Sequence, residues 1–213
     1  YRIGFILRRR RKVIDGFPVD EVEHTLKIRH PALEMVSAAD MRANVDSKYV
    51  IKFKEAILPA PDKPGGIKSV FSHNSVLKID TLDLVTNVEE LKSIFPATKM
   101  LDVPGETPIQ RVNELLVEEV SADLGQMAFD RFIANADVSV WRKRATGEPI
   151  AGEFSWQSRF KEDLASDKRA VGREKSEEFY RTLLRESGDW LLQGTTKTRV
   201  VYEAGGKTVE CNE

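Results

Sequence analysis

Apolar and charged residues alternate with a period of two in the first part of this chain. Phe5-Ile6-Leu7-Arg8-Arg9-Arg10-Arg11-Lys12-Val13 is followed, after a turn, by Thr25-Leu26-Lys27-Ile28-Arg29. A strand sends successive side chains to opposite faces. The pattern predicts strands over 3–14 and 21–29, with Asp15-Gly16-Phe17-Pro18 as the turn between them. Read as strands, Arg8 and Arg10 share one face, and Lys27 and Arg29 share another. Leu26 and Ile28 then point to the opposite, apolar side. His30-Pro31 ends the second strand, because proline cannot donate to a ladder. A third strand over 48–58 repeats the arrangement, with Lys52 and Lys54 on one side and Phe53 on the other.

The pattern changes along the chain. Residues 32–45 read as a short helix or an excursion, and 59–66, rich in Pro and Gly, as a loop before a strand at 67–77. Residues 80–95 have helical spacing at Val88, Leu91 and Ile94-Phe95, with Asp80 or Thr81 as cap and Pro96 as stop. Two to four strands fit between 112 and 158, with a hairpin turn over Ala145–Pro149. Residues 160–187 carry an apolar stripe at helical spacing, Leu164, Val171, Phe179, Leu183 and Leu184, as one helix or as two broken at Gly172. A last strand is expected near 195–203. The expected fold class is α+β: one domain over 1–213, built as a closed or nearly closed antiparallel barrel of about eight strands with flanking helices. In a small barrel inward and outward positions alternate on every strand, so the charged faces would line the lumen.

Bulk composition narrows the function. The chain has 213 residues, 41% hydrophobic and 31% charged, which is enough for a core. Its formal net charge is −1. A general nucleic-acid binder carries a basic excess, so no nucleic-acid partner is expected, and any cationic surface must be local. Cys211 is the single cysteine, so neither an internal disulfide framework nor a cysteine zinc cluster forms. His24, His30 and His73 lack metal spacing. No apolar run approaches a membrane span, and no signal peptide is seen. A cytoplasmic protein with no membrane partner is expected. The cations Arg8, Arg10, Lys27, Arg29, Lys52 and Lys54, joined by Arg131 from the alternating Phe129-Asp130-Arg131-Phe132, call for an anion with several phosphates. Glu153 lies between apolar neighbours, as a paired buried carboxylate or a ligand.

The order of Leu7-Arg8-Arg9-Arg10, Thr25-Leu26-Lys27-Ile28-Arg29, Gly152-Glu153-Phe154-Ser155-Trp156 and Thr196-Lys197-Thr198 resembles the CYTH superfamily of triphosphate tunnel proteins. The superfamily includes thiamine triphosphatases, inorganic triphosphatases and one class of adenylate cyclases. The resemblance implies an eight-stranded tunnel whose Arg and Lys hold a triphosphate, and whose carboxylates hold one or two Mg²⁺ or Mn²⁺. It implies Lys27, Arg29 and Lys197 as catalytic cations, Lys197 also as a phosphate ligand, and Glu153 as the metal ligand. Glu55, Glu118 and Glu119 are weaker candidates for the lumen. Phosphoryl transfer in such a site is positioning plus charge neutralisation. Two departures stand out. The family's Glu-x-Glu-x-Lys strand has no counterpart from Tyr1 onward, so it lies upstream or is absent. Lys54 and Ala56 stand where the family often places acidic residues. The first expectation is a metal-dependent phosphohydrolase acting on a linear, organic or nucleoside triphosphate. The alternative is a non-catalytic binder of polyphosphate or a phosphorylated metabolite, and adenylate cyclase activity ranks below both.

Overall fold

A computed structural model describes residues 4–60, 63, 65–80, 84–130, 132–159, 165–192 and 195–204. They form two compact units, one of residues 4–58 and 68–111, the other of 59–67 and 112–204.

In the first unit, strands β1 (Phe5–Ile14), β2 (Phe17–His30), β3 (Tyr49–Pro59) and β4 (Ile67–Ile79) make a sheet of order β1-β2-β4-β3. The β1–β2 hairpin closes at Asp15 and Gly16, both with positive φ (52° and 86°), so that Ile14 meets Phe17. Two central residues in that region suit a tight hairpin, because its twist matches that of the strands. β2 extends four residues earlier than its alternation indicates, since the turn is only two residues long. Leu26 and Ile28 on β2 and Leu77 on β4 share the apolar face. That face packs on Val36 of helix α1 (Leu33–Ser37), on Met41 and Ala43, and on Leu91 of helix α2 (Val88–Ile94) with Phe95 and Ala97.

α2 begins eight residues later than its predicted start. Asn87 accepts from the Glu90 backbone N–H at 2.9 Å, while the Glu90 carboxylate accepts from the Thr86 N–H and Oγ1 at 2.7 and 2.8 Å. This reciprocal pairing satisfies helix-end donors as a capping box does. It stops the helix from extending toward Asp80.

The second unit holds β5 (Val117–Phe129), β6 (Phe132–Lys143) and β7 (Pro149–Gln157) in the order β5-β6-β7. Helix α3 (Ser166–Ser187) lies on one face of this sheet. Phe179 and Tyr180 of α3 meet Trp156 edge-on at 5.3 and 5.4 Å, and the Trp156 indole N–H donates to Ser176 Oγ at 2.8 Å. α3 is continuous through Gly172. The glycine is used for close approach, because a Cβ there would overlap the Phe132 side chain. Tyr180 gives a titration that reports this packing. Burial pushes its phenol up to about 12, with the charge of Glu153 adding to the effect. An ordinary phenol titrates near 10, so this contribution to stability is complete below that pH and is lost as pH rises through about 12. In an alkaline absorbance titration, Tyr180→Phe should remove the highest-pH tyrosine wave. Retention of that wave in the variant would contradict the packing described.

The expected barrel is corrected. The described residues form two antiparallel sheets of four and three strands, and neither is closed. The α+β class stands. Alternation specifies which face a residue occupies but not which strands bond, so it does not carry closure. The predicted last strand is helix α4 (Lys197–Glu203). Thr196 Oγ1 caps it by accepting from the Arg199 N–H at 3.3 Å, and Arg199 Nε donates to Glu203 one turn on at 2.8 Å. Such caps and i,i+4 pairs favour helix over the strand suggested by Thr196, Thr198 and Val200. No helix among the described residues is long and apolar enough to cross a membrane.

Candidate anion-binding face

The β-ladder registers place the predicted cations together. Arg10 pairs across β1–β2 with Glu23, Arg8 with Thr25, and Ile6 with Lys27. Across β2–β4, Glu23 pairs with Lys78, Thr25 with Val76, Lys27 with Asn74, and Arg29 with Ser72. Directly paired residues share a face. Arg8, Arg10, Lys27 and Arg29 therefore lie on one side of the sheet, opposite the apolar face of Leu26, Ile28 and Leu77.

β3 joins the same surface. The Phe53 ring packs against Phe71 and His73, which alternate with Ser72 and Asn74 and so belong to the apolar side. Lys52 and Lys54 flank Phe53 and turn to the cationic side. The Asn74 side-chain amide donates to the Lys52 carbonyl at 3.2 Å, which places Lys52 beside Asn74, the ladder partner of Lys27. Like-facing residues along a strand stand about 7 Å apart. Two cations at that spacing repel by about 2 kcal/mol at an effective dielectric of 20.

The carboxylates at face positions of β2 are Glu21 and Glu23. Lys78 Nζ donates to Glu21 Oε1 at 2.8 Å. Arg10 donates twice to Glu23 Oε1, from Nε at 3.1 Å and Nη2 at 2.5 Å, and Thr25 Oγ1 adds a longer contact at 3.4 Å. Burial pushes the Glu23 carboxyl up, but the Arg10 hydrogen bonds and charge outweigh it, aided by Arg8 and Lys52, so the net is below the ordinary carboxylate value. Glu23 is thus an anion at neutral pH. Arg8, Arg10, Lys27, Arg29 and Lys54 all have interactions of their own, so a bound anion exchanges with existing contacts.

Glu118, Glu119, Glu153 and Lys197 belong to the second unit. Glu153 of β7 and Lys197 of α4 form an ion pair, and Lys197 Nζ lies 3.6 Å from Glu119 Oε1 of β5. The same ammonium stands 4.8 Å from the centre of the Trp141 ring, within cation–π range. Lys197 comes from a helix and not from the expected strand, and its charge faces two carboxylates. Glu118 points the other way along β5 and accepts from Arg142 at 2.6 Å. Glu55 accepts from Ser69 at 2.7 Å on the apolar side of β3. Arg131 lies outside the described residues.

Glu153 fits Mg²⁺ or Mn²⁺ poorly. Its carboxylate and that of Glu119 are engaged by an ammonium, and among the described residues no group of three or more His, Cys, Asp or Glu side chains gathers as a metal would need.

Alternation singled out the six cations of β1–β3, but it missed Glu21, Glu23 and Lys78. Their signal is present in Glu21-Val22-Glu23-His24-Thr25, which alternates in phase with Lys27 and Arg29, and in the later end of β4. Compared with known proteins, the chain matches no protein-family model, no curated protein and no solved structure.

Proposed function

We propose that this chain binds a linear phosphate chain, as tripolyphosphate or as the triphosphate of a nucleoside or other organic ester, on the cationic face of its four-stranded sheet. The observation that supports this is the gathering of Arg8, Arg10, Lys27, Arg29, Lys52 and Lys54 on one side of β1, β2 and β3. Arginine forks pair bidentately with phosphate oxygens, and lysines add point charges. Linked phosphates meet several of these cations at once, whereas a single carboxylate or sulfate meets one or two. The overall charge of −1 confines this attraction to the face and argues against general nucleic-acid binding. The resemblance to CYTH proteins points to the same ligand class. Metal-dependent triphosphate hydrolysis is the second reading, and it would require Glu119 and Glu153 to exchange the Lys197 ammonium for the metal.

The test combines thermal melting with an assay of released orthophosphate. Tripolyphosphate, ATP and thiamine triphosphate are each added with and without Mg²⁺ or Mn²⁺. A ligand at about a hundred times its Kd stabilises the native state by about 2.7 kcal/mol, so at least one of the three should raise the melting temperature by several degrees. Absence of any shift at low ionic strength would contradict binding. Metal-dependent release lost in Glu153→Ala would add the hydrolytic reading. Binding without release would leave a phosphate-chain binder.

A further inference from the structure

We infer that Glu23 is a specificity-determining residue that sets the length of phosphate chain the cationic face accepts, by closing the face at its Arg10 end. The inference rests on the reading of that face as a phosphate-chain site.

Position along the strands carries the argument. Successive rows across β1, β2 and β4 run Arg10–Glu23–Lys78, then Arg8–Thr25–Val76, then Ile6–Lys27–Asn74, then Arg29–Ser72. The carboxylates at face positions of β2 fall at one end of this series, in Glu23 and in Glu21 beyond it. Lys27 and Arg29 stand at the other end. A phosphate chain lying along the rows meets Lys27, Arg29, Lys52 and Arg8 first. Its next phosphate would reach the row where Arg10 is already held by both Nε and Nη2 to Glu23 Oε1.

That phosphate cannot gain Arg10 without displacing Glu23, a carboxylate tethered within the same row, and in failing it meets a like charge. Intramolecular partners act at an effective concentration that a free ligand must exceed. Thr25 Oγ1, also on Glu23 Oε1, helps to keep the carboxylate over Arg10. Added phosphates therefore tighten binding until the chain reaches this row, and beyond it they add nothing. In Glu23→Gln the like charge is gone and the Arg10 row no longer repels phosphate. Since a charge-assisted hydrogen bond is worth about a factor of ten or more, the plateau should give way to a further rise.

The experiment measures affinities of the full chain for pyrophosphate, tripolyphosphate and a defined longer polyphosphate at one ionic strength. Wild type is compared with Glu23→Gln, Arg10→Gln and the double variant, and melting curves confirm that each folds. The wild-type affinity should rise to a plateau with chain length. Glu23→Gln should tighten the longest chain about tenfold relative to the chain at the plateau. That gain should vanish when Arg10→Gln is added. This coupling is the double-mutant signature of one residue withholding another, and a merely structural Glu23 would not produce it. A length profile that moves in parallel in wild type and Glu23→Gln overturns the inference while the phosphate-binding reading survives. Failure of every chain to bind any of the four proteins overturns both.

Discussion

Replacing Lys27 and Arg29 together by Gln is expected to weaken tripolyphosphate binding by about two orders of magnitude. The two residues lie on one strand, two positions apart, on the same face of the central β2. Hydrogen bonds to charged groups contribute about 1.5–3 kcal/mol each. Loss of two at the lower end removes about 3 kcal/mol, roughly a hundredfold in affinity. Gln keeps most of the length and polarity of both side chains, so the change isolates charge. Lys99→Gln is the matched control. It removes one charge from an exposed turn of helix between Pro96 and Met100, on the segment that packs against the apolar side of the sheet. Its effect should stay within about twofold, because separated exposed charges are screened beyond about 10 Å at 0.1 M salt. Calorimetric titration at one fixed ionic strength measures both. An equal loss in Lys99→Gln and in the double variant would reduce the attraction to one of general charge.

Phe95→Ala is expected to have the largest effect on stability, about 3–5 kcal/mol by chemical denaturation. Phe95 is 0% exposed and belongs to the cluster that joins α2 to the apolar face of the sheet through Leu26, Leu77, Met41 and Leu91. Its backbone N–H also closes the last turn of α2 on the Leu91 carbonyl at 2.8 Å, a bond the substitution leaves in place. The cost is therefore the lost apolar transfer plus whatever cavity the neighbours fail to close. A loss of this size is a large share of the stability of a domain. Phe17→Ser sets the scale: Phe17 at the tip of the β1–β2 hairpin is 77% exposed, and its replacement should stay within about 0.5 kcal/mol. Similar losses for the two would mean that the sheet is not covered by the α1 and α2 segments as described.

The cationic face was legible because a strand's period of two is a local property. Arg8 with Arg10, Lys27 with Arg29, and Lys52 with Lys54 need only backbone extension to share a side, and their apolar neighbours Leu26, Ile28 and Phe53 show which side is covered. That the three pairs lie on the same side of one sheet depends on register, which joins Arg8 to Thr25 and Lys27 to Asn74 across strands distant in sequence. Barrel closure is a choice of hydrogen-bonding partners at the sheet edges, and no short pattern encodes it. Glu23 escaped notice because its partner Arg10 is thirteen residues away. Lys197 was misplaced for the opposite reason. The β-branched residues around it suggest a strand, but the Thr196 cap and the Arg199–Glu203 pair one turn apart support a helix. The α2 boundary moved for a similar reason, since Asn87 and Glu90 supply the cap that Asp80 or Thr81 was expected to supply.

Backbone amide NMR shifts during a tripolyphosphate titration locate the phosphate site most directly. The predicted result is a saturable set of shifts concentrated at Arg8, Arg10, Lys27, Arg29, Lys52 and Lys54 and their strand neighbours. Small shifts are expected along α2 and at Phe95, on the far side of the same sheet. Shifts concentrated on β5, β6 and β7, or none at low ionic strength, would contradict the account.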